Sequence, residues 1–269
     1  MKKILALLTA LMITIQAHAS IAVAPTRIEI NANKTKANYI ATSVEVRGDA
    51  KQPVRFRVYP GYFTINEKSE MVQYDKSEDK YNMAKKIKFV PSEFTVQPNK
   101  VQKLRINIIN INSLPDGENR AILYLEDVNA KEFGVDTGIE GIGAQLIVKT
   151  RMGIPIYVDK GKFTKKAEIE SLNIVNEKNG LYTKIKVLST GNSKIRYAGK
   201  VQIIKDKKLI TEYTLPEKVV GSNNYYIAKD KIQTNKVAEK GEYTLRVILT
   251  YTDENGKKQN IKQEAQINI

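Results

Sequence analysis

Ser77 and Lys80 stand three residues apart in Ser77-Glu78-Asp79-Lys80, the spacing of a serine nucleophile with a lysine base. The companion motifs S-D-N and K-T-G are absent, and the four residues lie in a charged stretch. Glu126-Asp127 offers two carboxylates, the minimum for glycoside hydrolysis. No aromatic cluster surrounds them, and the chain has no tryptophan to stack on a sugar. Asp253-Glu254-Asn255-Gly256 misses the calcium-loop spacing and reads as a hairpin turn. Gly138, Gly141 and Gly143 do not fit the dinucleotide fingerprint, and the phosphate-loop and nucleophile-elbow motifs are missing. The single histidine, His18, falls in a leader, and there is no cysteine. Zinc sites, thiol nucleophiles and histidine bases are thereby excluded. No enzyme, cofactor or metal is expected. What remains is binding.

Arg151 belongs to the stretch Gly141 to Val158, around which the chain is organised. There Ile142, Ala144, Leu146, Val148 and Met152 share one parity, and Gln145, Lys149 and Arg151 share the other. Successive strand side chains point to opposite faces, so one row is apolar and one partly polar. Pro155 has no N–H for a ladder, which puts the stretch at a sheet edge or a strand end. A bare apolar edge row is an aggregation hazard unless it is covered or meant for another chain.

Helical periodicity is nearly absent. Alternating runs recur every 8 to 12 residues or so between turn signals, which indicates an all-β chain of sandwich class. The runs are Ile21 to Ile30, Tyr39 to Val46, Val54 to Tyr59, Lys86 to Val90, Val101 to Ile109 and Arg120 to Val128. Glu67 to Lys80 reads as a loop or hairpin tip. Leu114-Pro115-Asp116-Gly117 is a turn, and the glycine-rich Asn129 to Gly141 a connection. With the edge stretch these make a first sandwich of about seven strands, from Ser20 to Val158. After a short linker the pattern restarts at Leu181 to Leu188, then Ala198 to Ile204, Leu209 to Leu215, Asn224 to Ala228, Thr244 to Tyr251 and Gln259 to Ile269. This is a second sandwich, Asp159 to Ile269. Gly241-Glu242-Tyr243 suits either the tyrosine corner of immunoglobulin-like sandwiches or an ordinary buried tyrosine.

Lys2 and Lys3, the apolar Ile4 to Ile15 and Ala17-His18-Ala19 have the form of a cleaved secretory signal peptide, residues 1 to 19. No later stretch is long and apolar enough to span a bilayer, so an exported protein without stable membrane insertion is expected, most simply in a bacterial periplasm. Removing Lys2 and Lys3 takes the formal charge from +15 to +13, with +4 on the first sandwich and +9 on the second. The excess is spread along the strands, which suits a solvated surface; an exported protein rarely meets nucleic acid, and none is expected as a partner.

Five features in order resemble the periplasmic pilus-assembly chaperones of the PapD-like, chaperone–usher class. They are Ala24-Pro25-Thr26-Arg27, then Phe89 to Asn99 leading into Lys103-Leu104-Arg105-Ile106, then Leu114 to Arg120, the glycine-rich connection, and Arg151-Met152-Gly153-Ile154-Pro155-Ile156-Tyr157-Val158. The R-x-x-I-P-I ending looks more like the archaic branch. The resemblance implies two immunoglobulin-like domains and a role in fimbrium biogenesis without catalysis. Such a chaperone donates an edge strand to an incomplete pilus or fimbrial subunit and delivers it to an outer-membrane usher. On this chain the donated row would be Ile142, Ala144, Leu146 and Val148. The subunit's C-terminal carboxylate would be anchored by Arg27 and Arg151, although Gly153 stands where the family carries its lysine. A free chaperone of this kind could cap itself as a dimer. The other reading of the residues is a two-domain surface adhesin or structural protein, with the edge strand paired inside the chain. A pilus subunit fits less well, because both domains read as complete.

Overall fold

A computed structural model describes residues 21–48, 52–74, 76–129, 131–136, 143–232 and 240–268, with backbone pairing but no side chains for 131–136 and 143–147. The expected signal peptide and Ile142 lie outside the described residues. The first half forms β1 (Ile21–Ala24), β2 (Ile28–Asn31), β3 (Tyr39–Gly48), β4 (Val54–Ile65), β5 (Met71–Tyr74), β6 (Ile87–Val90), β7 (Glu93–Val96), β8 (Val101–Ile109), β9 (Gly117–Asp127), β10 (Lys131–Asp136), β11 (Gly143–Val148) and β12 (Arg151–Lys160). The second half forms β13 (Ala167–Glu177), β14 (Gly180–Ser189), β15 (Ile195–Lys205), β16 (Lys208–Val220), β17 (Asn224–Lys231), β18 (Glu242–Thr252) and β19 (Lys258–Asn268). The protein is therefore all-β, in two sandwiches. No helix among the described residues is long and apolar enough to cross a membrane.

In the first sandwich a sheet ordered β1-β3-β8-β6 faces one ordered β2-β12-β9-β4-β5, with β7 beside β4. Alternation sets which side chains meet between them. Leu104, Ile106 and Ile108 of β8 are fully buried, while Lys103, Arg105 and Asn107 point out. The run Ile21 to Ile30 is not one strand. Pro25 cannot donate to a ladder, and the chain changes sheets there: β1 pairs with β3, and β2 pairs in parallel with β12, Ile28 opposite Ile156. The stretch expected as a plain connection contains β10, paired with β11 so that Phe133 lies opposite Leu146. Six residues with two apolar positions are a weak local signal; the pairing with β11 makes them a strand.

β9 is buried along nearly its whole length. Ala121, Leu123 and Leu125 face the sandwich core, while Ile122 and Tyr124 face the other way onto Phe63, Ile65 and Tyr157. This outer cluster floors the cleft between the domains, and Val219 of the second domain packs against it.

β12 carries the first sheet through Lys160, past Val158, and the second core begins at Ala167. Sheets ordered β13-β14-β17 and β16-β15-β18-β19 enclose that core. β13 escaped the sequence pattern because a bulge between Ile169 and Ser171 shifts its parity partway along. Tyr243 is buried in the core, and Asp253 closes the β18–β19 hairpin by accepting from the N–H groups of Asn255 and Lys257. Between the domains, Asn33 and Gly161 exchange two hydrogen bonds of 2.8 Å. Ser193 Oγ donates to Asp159, and the Lys194 ammonium lies 3.1 Å from Glu118.

Candidate functional site

The site is built on the hairpin of β9–β10 and β11–β12. From Met152 to Val158 the parity row of β12 packs into the first core: Ile154, Ile156 and Val158 are buried, and Met152 rests against them. β11 continues this strand beyond the sandwich and, among the described residues, pairs with β10 alone. Val148 is exposed. Ala144 and Leu146 hold the next positions of the same parity in the ladder. The six residues of β11 span about 20 Å at the rise of a strand. β2 pairs with β12 only from Ile156 onward, so among the described residues the same side of the strand is unpaired from Gly143 to Pro155. An unpaired edge of this length offers a row of N–H and C=O groups to an incoming strand.

Arg151 opens β12 on the opposite face. Its guanidinium lies over the Tyr124 ring, 4.3 Å from the centroid. It donates to Gln73 Oε1 at 2.8 Å and to Tyr59 Oη at 3.4 Å. Tyr59 in turn donates to Glu126 at 2.7 Å. Burial raises the Tyr59 pKa, so the phenol stays protonated and relays between guanidinium and carboxylate. The hydrogen-bond partners that hold Arg151 are neutral, and Glu126, opposite it in the ladder, is the carboxylate reached through Tyr59. Gly153 gives room to this floor: a Cβ there would stand 2.5 Å from Ile122 Cδ1. A lysine at that position would have to displace the isoleucine side chain.

Arg27 precedes β2 and lies 3.3 Å from Glu29 and 3.8 Å from Glu217 of the second domain. Its side chain keeps 44% of its exposure. The register of β2 on β12 sets Arg27 beside Pro155, four residues from Arg151, which is about 13 Å along the strand. Arg151 leans across β9 towards β4 and β5, and Arg27 leans towards the second domain. Both arginines are on the cleft face, but the structure does not bring their guanidinium groups together.

The Ser77–Lys80 pair is not a catalytic arrangement: Ser77 Oγ accepts from the Asp79 N–H, while the Lys80 ammonium lies over the Tyr81 ring. Asp79 ties this loop to Tyr62 and, at 3.7 Å, to the buried Arg120. Glu126 is engaged with Tyr59 rather than paired with Asp127.

The chain matches no protein-family model and no curated protein. Among solved structures, it is similar to the YadV chaperone, with 10% identity over 92% of this chain and 99% of that one, TM-score 0.47. It is likewise similar to the class 5 fimbriae chaperone CfaA, with 14% identity over 91% and 98%, TM-score 0.47. A third similarity is to the CsuC–CsuE chaperone–tip adhesion subunit pre-assembly complex from the archaic chaperone–usher Csu pili of Acinetobacter baumannii, with 15% identity over 91% and 98%, TM-score 0.47. At these scores the likeness decides nothing about function, which has to come from the cleft itself.

The cleft holds charged residues that sequence reasoning missed. Lys194 and Arg196 flank the buried Ile195 at the start of β15 and point into the cleft. Arg196 bridges the domains, 3.0 Å from Glu29 and 3.1 Å from Glu217. Lys194 lies 3.5 Å from the centre of the Tyr157 ring and 3.8 Å from Glu29. Burial acts to raise the Glu29 pKa, but Lys194 and Arg196 outweigh it and hold the carboxyl below its ordinary value. Parity alone marks Lys194 and Arg196 as sharing a face; no local signal says that the face meets another domain.

Proposed function

We propose that this protein is a periplasmic chaperone that binds fimbrial subunits by lending them its β11–β12 edge and passes them to an outer-membrane usher. One observation carries the reading. The row that fills the protein's own core along β12 runs on past the sandwich as β11, beside an edge unpaired from Gly143 to Pro155 among the described residues. This supports strand donation over a structural two-domain protein, in which the same edge would be paired inside the chain. A subunit lacking its final strand would gain both backbone pairing and the apolar row of Ile142, Ala144, Leu146 and Val148. Each large aliphatic side chain so buried contributes about 1.5–3 kcal/mol before the costs of association.

The subunit's C-terminal carboxylate is proposed to dock at Arg27, with Arg151 as the second cation farther along the same face. Arg27 suits an exchangeable anchor. Its ion pairs are exposed and loose, and such pairs contribute at most about 1 kcal/mol, so an incoming carboxylate can replace them. Arg151 suits a fixed one, because a ring and two neutral oxygen acceptors already hold its planar fork in place.

The test is co-expression in a bacterial periplasm with a fimbrial subunit encoded beside this protein. The expected result is a one-to-one complex and rescue of the subunit from degradation. Degradation of the subunit despite abundant folded partner would overturn the proposal.

A further inference from the structure

The β4–β5 hairpin reaches across to the second domain. Its turn is closed by Asn66, whose Oδ1 accepts from the N–H groups of Lys68 and Glu70, both at 2.9 Å. The turn places Ser69 at φ 61°, in the left-handed region where a side chain is strained. At that point the Ser69 hydroxyl donates to the Val219 carbonyl at 2.6 Å and accepts from the Val219 N–H at 3.1 Å. β16 is the edge of its sheet, so one hydroxyl occupies both free backbone groups of an edge residue. A few residues away, Asn224 Nδ2 donates to the Ile65 carbonyl at 3.1 Å. Asn224 begins β17, in the other sheet of the second sandwich. The hairpin thus grips both sheets of that domain, on a path separate from the Asn33–Gly161 link.

Val219 also connects to the ion cluster. It lies opposite Arg196 in the β15–β16 ladder, and Glu217 is two residues earlier on the same face. Arg196 and Glu217, with Lys194, are second-domain members of the cluster that includes Glu29 and Arg27.

We infer that Ser69 is a positioning residue: the hairpin tip straps the second domain in place and, through Val219, sets where Glu217 and Arg196 stand relative to Arg27. The strap is independent of what the protein binds. Its consequence for cargo rests on the carboxylate-anchor reading above. Strain at a single serine is retained where the surrounding contacts fix it; here the Ser69 N–H is held by the Asn66 carbonyl within the turn, and its hydroxyl by Val219 of the second domain.

The chain has no cysteine, so paired spin labels can be introduced without background. Lys103→Cys on β8 and Lys258→Cys on β19, both exposed, report the distance between domains. Ser69→Ala removes the hydroxyl. Ser69→Gly removes the hydroxyl and the left-handed strain together, which separates the two effects. A narrow distance distribution is expected for the parent and a broadened one for both Ser69 variants. Unchanged widths in both would overturn the strap. In the subunit-capture assay, Ser69→Gly is expected to weaken binding about tenfold, the scale of losing two hydrogen bonds. This loss should shrink when Arg27→Ala is already present, since both act on one anchor. Broadened distances with unaltered capture would overturn the link to Arg27 and leave the strap standing. A parent that captures no subunit would sink the chaperone reading without touching the distance result.

Discussion

Lys194 and Glu118 show how a residue's worth follows from its surroundings. Their side chains are 3% and 0% exposed, and they lie 3.1 Å apart at the joint between domains. Removing Lys194 leaves the buried Glu118 with Arg120, at 3.9 Å, as its ion-pair partner, and breaking a buried pair costs about 3–5 kcal/mol. Lys194→Met is expected to lose stability on that scale in urea unfolding, and Glu118→Gln in the same chain to recover part of it. Arg27 is the opposite case. Its partners are exposed, so Arg27→Glu is expected to shift unfolding by no more than about 1 kcal/mol. The same change should abolish subunit recovery, because it sets a carboxylate at the proposed docking point of the subunit's own carboxylate. Retained subunit levels in that variant would remove Arg27 from the anchor. In the sequence, parity put Arg151 on the face opposite the apolar row, and Arg27 came from the family resemblance alone. The sequence offered nothing on Lys194 or Arg196, whose roles come from residues up to 167 positions away.

At the scale of elements, β11 and β12 carry one parity row with two fates. Ile154 is 2% exposed in the core, so Ile154→Asn is expected to unfold the first domain or cost several kcal/mol. Leu146→Asn lies on the extension that, among the described residues, pairs only with β10. It should leave the free protein's melting temperature nearly unchanged and weaken subunit binding by about 10- to 100-fold, the worth of one buried leucine. Equal loss of stability in the two variants would mean that the extension belongs to this protein's own core. Most strands were legible because alternation and turn residues are local signals. β5, β7, β10 and β13 were not; β10 depends on its partner strand for its existence, and β13 changes parity at a bulge.

At the scale of the whole molecule, the cleft is closed by charge as well as by the hairpin. The folded state holds the Glu29 pKa below its ordinary value, so the unfolded chain binds that proton more readily. The stabilisation is complete above the usual carboxylate range and is lost as pH falls through the lowered value. Glu29→Gln is therefore expected to be less stable than the parent near neutrality and to show a flatter decline on acidification. Identical acid limbs in the two unfolding series would rule out this contribution.

The residue inventory alone excluded thiol chemistry, and local alternation alone determined an all-β chain in two sandwiches. Both follow from the chain without knowledge of its partners. The tertiary structure decided the rest. It showed which side of β11–β12 lacks a neighbour among the described residues, placed Arg196 between Glu29 and Glu217, and brought Ser69 to Val219. These depend on pairings between residues far apart in the chain, set by the register of whole sheets and the docking of one domain on the other. Period and spacing along the sequence carry no trace of either.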